Sequence, residues 1–417
     1  MTRRTALGCV ALASCGKKAP DMNALAERYV RLILAIGKHQ PKYVDAYYGP
    51  AEWQPTASKP LRELSTEVSA LITDIQQLTA VDPLRFQYLL TQAQSALAMA
   101  NILGGEKLDF DREATALYAV KPPVVLRSDL EAARELVDEA LPGGGELSER
   151  IEKFDARFAV PAAKVDKTFR AAIAEARSLT KKRITSLAAN ESFDVEYVKD
   201  KVWSAYNWYK GNSRSVIQVN IDLPINVDRI IHLACHEGYP GHHVYNGLLE
   251  ARLVRERGWI EFSVYPLYSP QSLIAEGTAD FGASLVMPEQ ERLAFKRDVL
   301  FKEAGLDPKS ADEQQAISKL RAGVKHAAIQ GARDYLDGHT NAEQTVSYLQ
   351  RYALNTKGMA ERRVKFFDAE RSYIINYSYG EDLVAAWVKK TAGNDAAAQW
   401  KAFEELLSTP RTPANLL

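Results

Sequence analysis

Apolar side chains recur at helical spacing along most of the chain. They form stripes with a period of three to four residues over 21–101, and a long alanine-rich helix is predicted over 161–187. Such spacing places apolar side chains on one face of a helix. The loop Pro142–Gly145 separates two further helical segments, and helices resume after Gly247. The pattern predicts a mainly α protein.

The pattern changes to alternation between residues 193 and 221. The segments 193–198, 202–208 and 215–221 alternate polar residues with aromatic or β-branched ones, and Lys210–Asn212 predicts a turn between the last two. Alternation with a period of two is typical of half-buried strands. We therefore expect a small antiparallel sheet of about three strands, followed by a new helix from about Val227.

The amino terminus has the pattern of a secretory signal. Two arginines and no acid precede a short apolar stretch, which ends Leu12-Ala13-Ser14-Cys15. This order of residues is typical of a signal peptide, and its end resembles a bacterial lipobox, in which the cysteine is lipidated. The alternatives are a plain signal peptide or a cysteine present by chance. We expect a lipoprotein of the bacterial cell envelope, anchored by lipid on Cys15 and facing the periplasm.

The balance of charge limits the classes of partner. The 417 residues include 53 Lys and Arg against 53 Asp and Glu, so the formal net charge is zero. Without an excess of cations, the chain has no electrostatic basis for nucleic-acid binding, and we expect membrane contact through the N-terminal lipid alone. The three cysteines do not indicate a disulfide framework. Composition leaves the oligomeric state open.

Histidines are concentrated in one short segment. Four of the seven lie within twelve residues, and a glutamate directly follows the second of them: His232, His236, Glu237, His242 and His243. Imidazole nitrogens and one carboxylate oxygen are the usual ligands of a catalytic zinc ion, and a glutamate beside a ligand can act as the base for water. In zincins the usual arrangement is H-E-x-x-H on one helix.

Spacing alone leaves the second histidine ligand open. On an unbroken helix, His236 and His242 lie on nearly opposite faces, whereas His232 lies four residues from His236 on the same face. Pro240 has no N–H to donate and Gly241 turns freely, so a break there could return His242 to His236. Both pairings are compatible with the spacing.

The segment His236–His243 reads H-E-G-Y-P-G-H-H, which resembles the H-E-x-x-P-G-H-H signature of an uncharacterised bacterial family of gluzincin-like proteins. Those proteins also carry a downstream E-G-x-A element, matched here by Glu276-Gly277-Thr278-Ala279. The resemblance implies a zincin-like helical domain with the small sheet beside the metal-binding helix. It also implies one zinc ion, with Glu237 as the base. The implied metal ligands are His236, His242 and Glu276.

The neighbours of these ligands receive supporting roles. An aspartate four residues after the metal-binding glutamate is typical of gluzincins, so the resemblance implies that Asp280 orients a ligand histidine. We interpret His232 as a supporting or packing residue, and His243 as a neighbour that donates a hydrogen bond. Tyr245 and Thr278 stand where relatives often carry glutamine and tryptophan, and these changes concern the substrate pocket.

Two carboxy-terminal stretches add candidates for stabilising an oxyanion. Gly331–His339 resembles the family's R…D-x-G-x-H stretch, one residue short, and Arg371–Gly380 lies near where relatives carry Tyr-x-x-G. A tyrosine hydroxyl or an imidazole can stabilise the oxyanion that forms when water attacks a carbonyl. We therefore name Tyr377 and His339 as catalytic candidates.

Together these residues favour a zinc-dependent hydrolase. The expected reaction is hydrolysis of oligopeptides by metal-activated water, with Glu237 as the general base. A metal-dependent amidase or esterase acting on envelope material would use the same residues, and a catalytically silent lipoprotein scaffold is the third interpretation. The motifs do not distinguish exopeptidase from endopeptidase action.

These interpretations divide the chain into a leader, a tether and one folded body. The body is expected to be a single mainly helical domain with three consecutive parts. The predicted segments are the signal peptide 1–14, the lipidated cysteine and tether 15–20, and the domain 21–417, with a helical part 21–190, the sheet and metal site 191–285, and a helical part 286–417.

Overall fold

The computed structural model describes residues 21–79 and 81–417, so the predicted leader, Cys15 and the tether lie outside the described residues. The described chain is mainly helical, which confirms the fold class predicted from the apolar spacing. Within those two ranges, no helix has both the length and the apolar composition that spanning a bilayer requires.

Seven helices form the amino-terminal part of the described chain, and two of them begin at an aspartate cap. They are α1 Met22–Gly37, α2 Leu61–Gln76, α3 Pro83–Leu103, α4 Phe110–Tyr118, α5 Arg127–Ala140, α6 Leu147–Ala156 and α7 Ala162–Lys181. The side chains of Asp82 and Asp109 accept hydrogen bonds from the first-turn backbone of α3 and α4. Helix α7 ends six residues before the predicted boundary at 187, because the chain enters a series of turns.

The strands form two small sheets. They are β1 Val44–Tyr47, β2 Ser192–Val198, β3 Ala205–Tyr209, β4 Arg214–Asn220 and β5 Val264–Pro266. Strands β1 and β5 pair antiparallel, an association of distant segments that the sequence analysis did not predict. The three strands expected after residue 193 are present, and β4 is the central one.

The prediction that the three-stranded sheet is antiparallel throughout was wrong. Strand β3 is antiparallel to β4 across a tight turn, but β2 is parallel to β4. Alternation along a strand determines which side chains share a face, and carries no information about the direction of the neighbouring strand. The sheet is therefore mixed, and its strand β4 leads into the histidine segment.

The remaining helices surround that segment. They are α8 Val227–Leu233, α9 His242–Leu249, α10 Pro270–Val286, α11 Glu289–Phe295, α12 Phe301–Ala304, α13 Ala311–Arg321, α14 Ala327–Leu336, α15 Ala342–Tyr352, α16 Lys357–Glu370, α17 Ser378–Ala392 and α18 Ala396–Ser408. Helix α8 begins at Val227, as predicted, where the Asn226 side chain accepts a hydrogen bond from the backbone of the first turn.

One large hydrophobic core joins early and late parts of the described chain. It contains Tyr29 of α1, Leu273 of α10 and Phe403 of α18, which are all almost fully buried. Helix α10 is buried on nearly every side, as is usual for a helix that passes through the centre of a domain. Because α10 carries Glu276, the fold places a carboxylate inside this core.

Candidate metal centre

A break in the helix returns His242 to His236. Helix α8 continues into a π-helical turn, Ala234–Gly238, and α9 begins only at His242. Gly241 donates its N–H to the carbonyl oxygen of Cys235 at 2.9 Å. A Cβ at this position would lie 1.8 Å from the carbonyl oxygen of His236, so only glycine fits the reversal.

Three side chains place one potential ligand atom each at a common point. His236 Nε2 lies 3.2 Å from His242 Nε2 and 3.1 Å from Glu276 Oε2, and the third side of the triangle measures 3.6 Å. Ligands of a tetrahedral zinc ion with ordinary zinc–nitrogen and zinc–oxygen bonds are separated by about 3.3–3.4 Å. All three residues are buried and can hold a metal ion together.

The carboxylate of Glu276 supports this fit. Its Oε1 accepts a hydrogen bond from the Tyr373 hydroxyl at 2.6 Å. Its Oε2 is buried and has no hydrogen-bond partner among the described residues. A buried carboxylate oxygen without a partner is costly, and a divalent cation at the centre of the triangle would satisfy it.

Asp280 orients His236 for this role. Asp280 Oδ1 lies 2.7 Å from His236 Nδ1, on the side of the ring away from the triangle. A carboxylate accepts only, so His236 donates from Nδ1 and its Nε2 keeps the lone pair that a metal requires. This is the carboxylate–histidine arrangement that commonly supports a metal ligand.

His232 also contacts Asp280, and a second possible metal group contains His232, His236 and Asp280. Arg229 Nη1 lies 2.9 Å from His232 Nδ1, and His232 Nε2 lies 2.9 Å from Asp280 Oδ1. Because arginine can only donate, His232 Nδ1 accepts the hydrogen bond from Arg229. The ring proton is therefore on Nε2, which donates a hydrogen bond to Asp280. Both nitrogens of His232 are engaged, so this geometry favours His242 as the second ligand.

His243 points away from the cluster. Its Nδ1 lies 2.9 Å from Ser215 Oγ on β4, and its Nε2 lies 3.2 Å from Glu191 Oε2. Glu191 also pairs with Arg177 on α7. Because a carboxylate only accepts, His243 donates a hydrogen bond to Glu191. Its two nitrogens connect the start of α9 to the sheet and to the loop after α7, rather than to the proposed ligands.

Glu237 lies beside the ligands with its carboxyl group buried. Asn207 on β3 donates to the Glu237 carbonyl oxygen at 2.7 Å and so attaches this turn to the sheet. Burial raises the pKa of the Glu237 carboxyl, although the nearby charges of His236 and His242 act in the opposite direction. A raised pKa suits a group that accepts and then returns a proton near neutral pH.

The carboxylates and imidazoles of the cluster also shift one another's pKa. Burial disfavours the charge on Glu276, but His242 and His236 lower the pKa of its carboxyl to about 2. Burial likewise disfavours a charged His236, yet Asp280 and Glu276 raise the pKa of its imidazole well above the usual value. The carboxylates of the cluster therefore favour a positive charge beside them. Protons on the imidazoles supply it in the metal-free cluster, and a metal cation would supply it when the imidazoles are neutral.

Close packing of two helices brings tyrosines to the site. Gly277 on α10 meets Gly380 on α17 so closely that a Cβ on Gly277 would lie 2.4 Å from the Gly380 carbonyl carbon. The chain just before α17 carries Tyr373 and Tyr377, and the Tyr377 ring stacks on His236 with 6.3 Å between centroids. Tyr377 therefore lies beside the ligands, in the neighbourhood expected from the sequence.

The Tyr377 hydroxyl can donate a hydrogen bond. Burial raises the pKa of its phenol well above the usual value, and the charge of Glu276 acts in the same direction. The hydroxyl therefore stays protonated at physiological pH. This is the state that an oxyanion-stabilising donor requires.

His339 does not lie among these groups. Its side chain is 69% exposed in the turn after α14, and its Nδ1 lies 3.9 Å from Asp334. No described contact joins it to the histidine cluster. The expectation that His339 takes part in catalysis is therefore not supported, because a group exposed to water would give little stabilisation to a buried oxyanion.

Other residues near the cluster were missed by the sequence analysis. Tyr373 lies four residues before Tyr377, in the same stretch Arg371–Gly380, so the motif that indicated Tyr377 could also have indicated Tyr373. No sequence motif indicated Asp45 on β1. Asp45 accepts a hydrogen bond from Tyr206, and burial raises the pKa of its carboxyl to about 6. Arg229 could have been found as the residue three positions before His232, on the same helical face.

Comparison with known proteins shows a shared fold. No family model matches this chain. No curated protein matches it. The chain is similar to a crystal structure described as that of the "putative lipoprotein from Colwellia psychrerythraea", with a TM-score of 0.55 and 13% identity, covering 85% of this chain and 68% of that chain. At this level of identity the likeness is one of fold.

Proposed function

We propose that the protein is a zinc-dependent hydrolase of the cell envelope that cleaves peptide bonds in oligopeptides. The observation that carries the proposal is the triangle of His236 Nε2, His242 Nε2 and Glu276 Oε2, with sides of 3.1–3.6 Å. Two imidazoles and one carboxylate leave coordination positions for water and substrate, as in catalytic zinc sites. Glu237, next to the first ligand, supplies the base.

The proposed mechanism assigns one task to each side chain. When bound, zinc would supply Lewis acidity, which lowers the pKa of water and polarises a carbonyl group. Glu237 takes the proton from the attacking water and delivers it to the leaving amine. Tyr377 donates its hydroxyl proton in a hydrogen bond to the carbonyl oxygen as negative charge develops there. Asp280 keeps His236 in the tautomer that leaves Nε2 free.

The proposed location rests on the amino terminus. The stretch Leu12–Cys15 resembles a lipobox, and the similar crystal structure is itself described as a putative lipoprotein. Substitution of Cys15→Ser should move the protein from the membrane fraction to the soluble fraction of the envelope. Unchanged fractionation of this variant would argue against lipid anchoring.

The first test is the metal content of the purified full chain, measured by inductively coupled plasma mass spectrometry. The proposal predicts about one zinc per chain. Glu276→Ala should lose this zinc, because it removes the one carboxylate of the triangle. No bound metal after incubation with zinc would contradict the proposal. Bound iron in place of zinc would also contradict the proposal, because two histidines and a carboxylate are the ligands of non-haem iron enzymes as well.

The second test is a panel of internally quenched peptides, offered together with simple amides and esters. Cleavage of peptides that is lost in Glu237→Gln supports the peptidase proposal. Cleavage confined to the amides and esters would favour a hydrolase of other envelope material. A zinc-loaded protein inert towards all of them would leave a scaffold as the better interpretation.

A further inference from the structure

An arginine near the proposed metal centre has no hydrogen-bond or ion-pair partner among the described residues. Arg363 lies on α16, one helical turn before Phe366, and so on the same face of that helix. The Phe366 ring lies 6.3 Å from the Tyr377 ring, measured between centroids, and Tyr377 in turn stacks on His236 at 6.3 Å. This series of contacts places Arg363 on the Tyr377 side of the cluster.

The side chain of Arg363 is partly buried, and none of the described residues forms a hydrogen bond or an ion pair with it. Its neighbour Arg362 differs, because Arg362 Nη2 lies 3.7 Å from Asp222 Oδ2. Burial lowers the pKa of the Arg363 guanidinium, and the positive charge of Arg229 lowers it further. Arg363 is therefore a cation that the described fold does not neutralise.

The second cation, Arg229, is held in place without a carboxylate of its own. It donates to His232 Nδ1 at 2.9 Å and to the hydroxyl of Ser204. Asp280 and Glu237 are the acids whose charges act on Arg229, and both have other tasks in the proposed mechanism. Arg229 also lines a cavity of about 320 Å³ together with His232 and Asp228, on the His232 side of the cluster.

The positive charges of Arg363 and Arg229 act on each other in a partly buried region, and an anion between or beside them would relieve this repulsion. A guanidinium binds a carboxylate through two parallel hydrogen bonds, which makes it the preferred side chain for that ligand. The anion is therefore expected to come from a bound molecule. In a peptidase it would belong to the peptide.

On this basis, which depends on the proposed peptidase function, we infer that Arg363, supported by Arg229, binds the free C-terminal carboxylate of the peptide substrate. The two centroid distances through Phe366 and Tyr377 set an upper limit of about 13 Å, which about four extended residues cover. The carboxylate would thus lie shortly after the scissile bond. The inferred substrates are peptides cleaved near a free C-terminus.

The test compares two forms of one peptide, tetra-alanine with a free C-terminal carboxylate and its C-terminal amide, on the zinc-loaded full chain. Wild type should cleave the free acid with a kcat/KM about 10- to 100-fold higher than the amide, the range expected for a hydrogen bond between charged groups. Arg363→Gln should remove this preference by slowing cleavage of the acid while leaving the amide nearly unchanged.

Arg362→Gln is the matched control, because it removes the same charge from the adjacent position of the same helix. It should keep the preference for the free acid. Zinc content and the urea unfolding midpoint of both variants should equal those of the wild type, which separates substrate binding from folding. Equal cleavage of acid and amide by the wild type would overturn the inference and leave the peptidase proposal standing.

Calorimetric titration of both peptides separates the two proposals if hydrolysis is absent. If zinc is bound but neither these peptides nor the quenched panel is cleaved, the peptidase proposal fails. Tighter binding of the free acid than of the amide, lost in Arg363→Gln alone, would then still support the carboxylate site. Equal binding of the two peptides, or binding of neither, would overturn it.

Discussion

The three histidines around Asp280 and Glu276 differ in which nitrogen is free, and the difference follows from their hydrogen-bond partners. His232 is engaged at both nitrogens, by Arg229 and by Asp280. His236 is engaged by Asp280 at Nδ1 only, so its Nε2 is available to a metal. His242 presents Nε2 to the same point. The proposed ligand and supporting roles therefore correspond to different sets of free nitrogens.

This assignment predicts a ranking of histidine variants. His242→Ala should abolish stoichiometric zinc binding, because it removes one of three ligands. His232→Ala should weaken zinc affinity by only about 10- to 100-fold, as is typical for a residue that supports a ligand from outside. Competition with a zinc chelator would measure both. His339→Ala, at an exposed position, is the control expected to change nothing, and the reverse ranking of His232 and His242 would overturn the assignment.

A second prediction concerns Glu237. Glu237→Gln keeps the size of the side chain but cannot accept a proton, so zinc content should be unchanged while kcat falls by about 10²- to 10⁴-fold. Glu196→Gln on the exposed face of β2 makes the same chemical change away from the cluster and should retain full activity. Full activity in Glu237→Gln would show that another group acts as the base.

At the scale of elements, the contact between α10 and α17 positions the site. Helix α10 supplies Glu276, and the segment before α17 supplies Tyr373, whose hydroxyl donates to Glu276. The two helices approach closely only because glycines face each other at 277 and 380. Gly277 therefore has a packing role in addition to being part of the E-G-x-A element.

Gly277→Ala should separate α10 from α17. The new Cβ would lie 2.4 Å from the Gly380 backbone, so we expect a loss of about 1–3 kcal/mol in the free energy of unfolding, measured in urea. Zinc affinity should fall as well, since Tyr373 would shift away from Glu276. Gly358→Ala is the control, because nothing lies within 4 Å of its added Cβ, and it should stabilise α16 by about 0.4–1 kcal/mol. An equally stable Gly277→Ala would contradict this account of the helix contact.

The break between α8 and α9 was indicated by the local sequence only in part. Pro240 and Gly241 indicate a possible break in the histidine helix, and α9 begins separately at His242. The π-helical turn before the break was not predicted. This turn packs against α7 and α10, and a local pattern does not describe such distant contacts.

At the scale of the whole molecule, a buried ion pair joins α3 to the segment before β5. Arg85 donates from Nε and Nη2 to both carboxylate oxygens of Glu261 at 2.6 and 2.9 Å. The side chain of Glu261 is fully buried and that of Arg85 is 8% exposed. The two residues are 176 positions apart, so the pair links separate regions of the described fold.

Arg85→Met should lower the free energy of unfolding by about 3–5 kcal/mol, because it leaves the buried Glu261 carboxylate unpaired. The double variant Arg85→Met with Glu261→Leu should recover much of this loss, since it removes both charges. Arg170→Met, in an exposed pair with Asp166, should cost only about 0–1 kcal/mol. Urea unfolding measures all three, and a double variant no more stable than Arg85→Met would argue against desolvation as the cause.

Local sequence patterns are enough to predict the helical class, the three strands and the concentration of ligand-type residues, and they indicate where the histidine helix can break. These features depend on the spacing of neighbouring residues and on the backbone chemistry of proline and glycine, which act locally. The same local information placed Glu276 and Asp280 four residues apart, and therefore on one face of α10.

The contacts of these residues depend on how distant segments pack together. Contacts of Asp280 with His236 join residues 44 positions apart, and Tyr373 reaches Glu276 across 97. Tertiary contacts favour His242 over His232 as the proposed second ligand, and they connect His243 to the sheet. They also place β2 parallel to β4. Each outcome depends on which distant surfaces pack together, because a side chain's partners follow from the assembled core rather than from its neighbours in the chain.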